Sequence, residues 1–196
     1  PKVFLDTSSL VAPDELNGDL LLMESRTSVR RITCHLLEQG RTLPGFIGDI
    51  SYAQSNRERY EGFCQALADA GKKVDSSLCL TTPLGIDTYR EEIDTFLSSL
   101  SRMPDAFVCA SDYVACILMQ LLEKRGLRVP EDVAVSDFDN NTEDLLAEHL
   151  TTVQVFNEEL GARLALQILY RIKYPNTPHE ITYLGTNVLY RDSTGD

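Results

Sequence analysis

No stretch of this chain approaches the roughly 20 consecutive apolar residues that a membrane-spanning helix needs, so no membrane association is expected. Basic charge is also scarce. The 18 Lys and Arg stand against 30 Asp and Glu, a formal net charge of −12, and they are scattered, with local pairs such as Arg30-Arg31 and Lys72-Lys73. Duplex DNA repels a surface that offers no phosphate-neutralising patch, so this piece is not expected to grip nucleic acid by itself. The five cysteines (Cys34, Cys64, Cys79, Cys109 and Cys116) are dispersed and odd in number, with no CxxC pair and no histidine at ligand spacing. They read as reduced, buried thiols of a cytoplasmic protein; a disulfide frame or a zinc site is not expected. Catalytic signatures are missing too. His35, His149 and His179 are isolated, and neither a P-loop nor a dinucleotide fingerprint occurs. The chain is not read as an enzyme, and no cofactor or metal is expected. No secretory signal is recognisable, and Pro1 is read as following an upstream segment.

What is present is ordinary globular material. Apolar content of 43% and charged content of 24% suit a folded domain, and 196 residues allow one large domain or two small lobes. Short apolar runs at Lys2–Asp6, Asp19–Met23, Phe46–Gly48, Leu78–Leu80, Ala106–Cys109 and Val133–Val135 read as strands. Between them, Thr27–Gln39, Asn56–Ala70, Thr88–Leu100 and Ser111–Arg125 carry apolar residues at helical spacing. Gly40, Gly71 and Gly126 fit C-terminal caps. Alternation of strand and helix from Phe46 to Asp139 is the pattern of beta-alpha-beta units in a parallel sheet. Beyond it, Leu150–Gln154 is extended, Asn157–Lys173 is a long amphipathic helix, and Ile181–Arg191 holds two short strands around Gly185.

The most specific segment begins at Arg102-Met-Pro-Asp-Ala-Phe-Val-Cys-Ala-Ser-Asp-Tyr-Val-Ala and continues through Glu123-Lys-Arg-Gly-Leu-Arg-Val-Pro-Glu-Asp-Val-Ala-Val-Ser-Asp-Phe-Asp-Asn140. It reads as strand, helix cap, helix, tight turn, strand, and then a carboxylate at the strand's C-terminal end, where alpha/beta proteins place ligands. This order resembles the effector-binding domain of LacI/GalR-type transcriptional regulators, which share the fold of type I periplasmic binding proteins. The resemblance implies an α/β, two-lobed, doubly wound architecture with parallel sheets and an incomplete first lobe. Residues 1–42 would supply part of the N-terminal lobe and a crossover helix, 43–148 the C-terminal lobe, and 149–196 a return segment completing the N-terminal lobe.

The resemblance also implies ligand contacts. Arg59 and Asp139 match an effector-binding arginine and a carboxylate that accepts hydrogen bonds from ligand hydroxyls or ring nitrogens. A guanidinium with five fixed donors suits the paired oxygens of a polyol or carboxylate. Arg59 is expected to face an open cleft, with a surface salt bridge to Glu58 or Glu61 as the bland alternative. Ser111 stands where the family often has Asn, and as a helix N-cap it needs no ligand to explain it. Asp112 reads as a capping carboxylate favoured by the helix dipole. Asp6 matches an acidic position at the lobe interface, and Arg57 lies near the cleft mouth. The chain departs from the family pattern at Pro44 and Gly45, which weaken a strand start, at Asp137, where the family has Gly, and at Val155 or Phe156, where a polar contact is common.

These features imply the effector-sensing and dimerisation domain of a repressor-type regulator. Its partners would be a small molecule (sugar, sugar phosphate or nucleobase), a second copy of the chain, and operator DNA through a headpiece absent from this sequence. The outer face of helix 111–126 and the segment after Asn141 would contribute to the dimer, although core packing explains most of Val114, Ile117, Leu118, Leu121 and Leu122. The alternative is a solute-binding protein of a transport system, which shares the fold.

Overall fold

In the computed structural model, residues 1–85, 87–141 and 147–196 are described. The chain runs β1 (Val3–Leu5), β2 (Asp19–Met23), α1 (Arg26–Glu38), β3 (Pro44–Ile47), α2 (Gln54–Asp69), β4 (Cys79–Leu80) and α3 (Tyr89–Ser99). It continues through β5 (Ala106–Cys109), α4 (Asp112–Lys124), β6 (Ala134–Ser136), β7 (Thr152–Gln154), α5 (Asn157–Lys173), β8 (Ile181–Leu184) and β9 (Asn187–Leu189). The strands form a parallel sheet in the order β1-β2-β8, a parallel sheet in the order β4-β3-β5-β6, and an antiparallel ribbon of β7 and β9.

Strand side chains alternate between faces, and the four-stranded sheet uses that alternation to build two cores. Phe46, Ala106, Val108 and Ala134 point to one face, where Val29, Ile32 and Leu36 of α1 meet Phe63 and Leu67 of α2. Ile47, Phe107, Cys109 and Val135 point to the other, under Ile93 and Leu97 of α3 and the inner face of α4. The i, i+3, i+7 spacing of Val29, Ile32 and Leu36 is what gives α1 its buried stripe. Helices α1, α2 and α4 are followed by Gly40, Gly71 and Gly126, each at positive φ, as their sequence positions implied. Gly45 has a different reason from a loosened strand start. A Cβ there would lie 2.5 Å from the Leu78 carbonyl oxygen and 2.8 Å from the Phe107 ring, so glycine lets Phe107 pack across β3.

The three-stranded sheet is held by a polar clamp as well as by apolar contact. Asp19, at the start of β2, is 1% exposed and accepts from Arg171 Nε (2.6 Å) and Gln167 Nε2 (2.7 Å) of α5, and from the Glu180 amide (2.8 Å). Arg171 Nη1 donates onward to the Thr177 carbonyl (2.6 Å).

Within residues 149–196, α5 and β8 lie with the first sheet. β7 runs parallel beside the end of β6 through bridges Ser136 to Thr151 and Asp139 to Gln154, and it carries β9 with it. The chain therefore passes between the sheets three times: at Glu24–Ser25, at Val155–Phe156 and at Gly185–Thr186. Two of these crossings are bonded together. Thr186 Oγ1 donates to the Glu24 carbonyl (2.8 Å) and lies 2.8 Å from Ser28 Oγ.

Candidate functional site

A pocket of about 590 Å³ opens at the carboxyl ends of the strands, where open α/β sheets place their ligands. Its walls come from both sheets and from a crossing: Leu5 and Met23 from the first sheet, Ser111 to Tyr113 and Asp139 to Asn141 from the second, with Val155, Asn157 and Leu160 between.

The chain bends sharply to make this edge. Asp139 and Asn140 have φ of 110° and 53°, backbone conformations that non-glycine residues seldom adopt. The Asp139 amide donates to the Val153 carbonyl (3.1 Å), which fixes the bend against β7. Asp139 leaves 41% of its side chain exposed to the pocket and accepts from Arg59 Nη2 (3.3 Å). Burial of its inner side pushes its carboxyl up to about 6, against the opposing pull of Arg59.

Arg59 does not face an open cleft. It is 4% exposed, bonds the Ala110 carbonyl and Asn56 Oδ1 (3.5 Å), and its Cζ stacks 3.7 Å over the Phe138 ring. It therefore sits behind Asp139, and neither expected surface partner, Glu58 or Glu61, is bonded to it; Glu58 instead accepts from Tyr183 (2.8 Å) and Gln54 (3.2 Å).

Ser111 occupies the N-cap position of α4, but its hydroxyl makes no cap bond and lines the pocket instead. Asp112 is also not a cap in the expected sense. It accepts from the Asn141 amide and from Thr152 Oγ1 (3.4 Å), so it anchors the far lip of the pocket to α4 while lining it. Asp6 bonds Ser55 Oγ (2.5 Å) and the Thr7 amide (2.7 Å), tying the end of β1 to the first turn of α2. Arg57 is half-buried in that same turn, with an Nε that has no hydrogen-bond partner. Asp6, Arg57 and Arg59 do not line the pocket; Ser111 and Asp139 do.

Sequence reasoning read Asp112 as a capping carboxylate rather than a pocket residue, and passed over Asn140, Asn141 and Asn157. The asparagines had only position to mark them, directly after Asp139 and at the start of α5. Five apolar residues of α4 weighed for a dimer contact, Val114, Ile117, Leu118, Leu121 and Leu122, all belong to the core. The face left outward carries Tyr113, Gln120, Glu123 and Lys124. The expected dimer segment after Asn141 lies, over residues 142–146, outside the described residues. Among the described residues, no helix is long and apolar enough to cross a membrane.

Comparison with known proteins agrees with this geometry. The periplasmic binding protein-like domain family matches residues 33–194, and the chain belongs to that family, in the form that LacI-type regulators carry. It is 35% identical over 130 residues to the HTH-type transcriptional regulator DegA of Bacillus subtilis (strain 168), covering 65% of this chain and 38% of that protein. It is 26% identical over 197 residues to the HTH-type transcriptional repressor PurR of Vibrio cholerae serotype O1 (strain M66-2), covering 100% of this chain and 57% of that one. Among solved structures, the transcriptional regulator CelR–cellobiose complex matches with a TM-score of 0.84 at 27% identity, covering 98% of this chain and 58% of that one. The chain thus spans about half the length of the curated relatives it matches.

Proposed function

We propose that this chain is the effector-sensing and dimerisation domain of a LacI-type, cytoplasmic, DNA-binding transcriptional repressor, and that the pocket at Asp139 holds a small effector molecule such as a sugar. The single observation that carries this reading is that the pocket is walled by both sheets and by a chain crossing between them. A molecule seated there touches both bodies at once. It can shift their relative orientation to the extent that it binds one arrangement better than the other. Ser111 and Asp139 contact the effector, Arg59 positions Asp139 from behind, and Asp6 and Arg57 act at the first turn of α2, on the rim. DNA contact falls to another segment of the regulator, in keeping with the acidic balance of this chain. The curated relatives are transcriptional regulators, which does not favour the transport alternative, and no catalytic role is assigned.

The test is a thermal-shift screen of the chain against sugars, sugar phosphates and purines. A ligand that binds only the native fold stabilises it by about 2.7 kcal/mol at a hundredfold excess over its Kd. The shift is expected to vanish in Asp139→Ala. A ligand that stabilises native chain and variant equally would place the effector elsewhere.

A further inference from the structure

Asp137 is 1% exposed and lies behind the pocket, one residue beyond β6, and neither of its carboxyl oxygens has a hydrogen-bond partner. A lone ionised carboxylate in such a place would be strongly disfavoured. Within reach stand the Thr152 hydroxyl, which favours the ionised form, and Asp112, a second carboxyl group; two carboxyls can bond one another only through a proton that one of them keeps. Burial, and then the Asp112 charge, push Asp137 well above the ordinary carboxylate range. Asp137 therefore carries the proton and donates it towards Asp112. The other groups around this pair are Cys109 on β5, Cys116 on α4, Thr152 on β7, Asp139 on the same strand end and, beyond Asp139, Arg59.

That leaves a simple balance of charge. Asp139 is matched by Arg59. Arg59 also faces Asp6 and Asp112 electrostatically, but its bonds go to Ala110, Asn56 and Asp139. Arg191 donates to Asn140 Oδ1 (2.9 Å) and the Leu150 carbonyl (3.0 Å). Among the described residues, Asp112 forms no ion pair and none that lines the pocket is cationic. One negative charge, on Asp112, 7% exposed and bonded to the Asn141 amide and the Thr152 hydroxyl, is thus left without a cation in the pocket wall, among Ser111, Asn140, Asn141 and Asn157, which donate and accept.

We propose that this pocket takes a small polyhydroxy ligand bearing an ammonium group, received by Asp112 with the Asp137 carboxyl behind it, in preference to the neutral or phosphorylated counterpart. The proposal rests on the reading of this pocket as the effector site. An ammonium brings three donors to Asp112 and the open side of Asp139, and it supplies the missing charge. A phosphate would meet two carboxyl groups and no cation along the wall.

The experiment is a protein-observed NMR titration of the whole chain with glucosamine, glucose and glucose 6-phosphate, followed at the amides of Ser111–Tyr113 and Asp139–Asn141. Glucosamine is expected to bind there roughly tenfold more tightly than glucose, about 1.4 kcal/mol, with glucose 6-phosphate weakest. Asp112→Asn is expected to bring amine and hydroxyl forms level. Asp137→Asn, which keeps a donor towards Asp112, is expected to retain the preference; its loss would show that Asp137 acts as an anion and overturn the shared proton. The comparison on the native chain decides the ligand class even where a variant fails to fold. Glucose or glucose 6-phosphate binding at these amides as tightly as glucosamine overturns the ligand class and leaves the effector site standing. Failure of all three to perturb these amides overturns both.

Discussion

The two parallel sheets reach order by different means. The four-stranded sheet is covered on both faces, and Phe46, Phe63, Phe107 and Phe138 around it are all at 0% exposure. The three-stranded sheet packs against α5, whose own outer side leaves Leu166, Leu169 and Ile172 at 60%, 61% and 62% exposure. There the buried Asp19–Arg171 clamp orients helix against sheet where apolar packing is thin. Burial fixes the position of an element against many neighbours at once, whereas a single ion pair fixes it at one point. The pocket lies where the densely packed body meets the clamped one.

Four substitutions and two pH dependences sharpen this contrast. Phe107→Ala removes a ring packed against Phe96 in the denser core. It should lower stability by about 3–5 kcal/mol in chemical denaturation, the range for such truncations. Asp19→Ala leaves the Arg171 guanidinium buried without its partner and should cost about 3 kcal/mol. The carboxyl of Asp19 is held down to about 2 despite its burial, by Arg171, Gln167 and the Glu180 amide. A group depressed in the folded state contributes stability above its unfolded value, near 3.8, and loses that contribution as pH falls towards 2. Acid unfolding of native chain and Asp19→Ala should therefore converge in that window.

Arg59→Ala should cost about 2 kcal/mol of stability, because it removes a buried side chain packed on Phe138 together with its bond to the Ala110 carbonyl. An effect only on ligand binding would mean the guanidinium is open to solvent after all. Asp139 works in the opposite sense from Asp19. Its carboxyl is raised in the folded state, so its contribution is fully present below its unfolded value and is lost as pH rises through about 6. Solvent on its outer side keeps the stability effect below about 1 kcal/mol. Its use as an acceptor runs the other way, so affinity for a hydrogen-bond-donating effector should rise as pH climbs through about 6, as read by calorimetry. Smallest of all, Leu169→Ala on the exposed side of α5 should stay within about 0.5 kcal/mol.

Much of the fold was legible because it obeys period. Val29, Ile32 and Leu36 at helical spacing, and Phe46 and Ile47 facing opposite ways, are one-dimensional patterns. So is the run of glycine caps. The path of β7 was less legible, since Leu150–Gln154 reads as extended wherever it pairs. At the site, position was readable and orientation was not. Asp139 at a strand end and Ser111 at a helix start fell where expected. Nothing in Asn-Arg-Glu-Arg-Tyr could reveal that the Arg59 guanidinium turns inward onto Phe138, 79 positions away in the chain. Asp112 met the composition rule for a helix start, yet its carboxylate bonds Asn141 and Thr152, partners that only the folded chain brings near. Asp137 was visible as a substitution for glycine, but its burial beside the Asp112 carboxyl is a property of three dimensions.

The hydroxyl of Thr186 has a mechanical consequence. By joining the crossing at Glu24 to the crossing at Gly185–Thr186, it turns two of the three tethers into one broad strap, with Val155–Phe156 left as a separate post. Two bodies held by a strap and a post keep one soft rotation, about the line that joins the supports, and resist both twist and slide. A molecule arriving at Asp139, beside the post, would press on that single freedom with leverage.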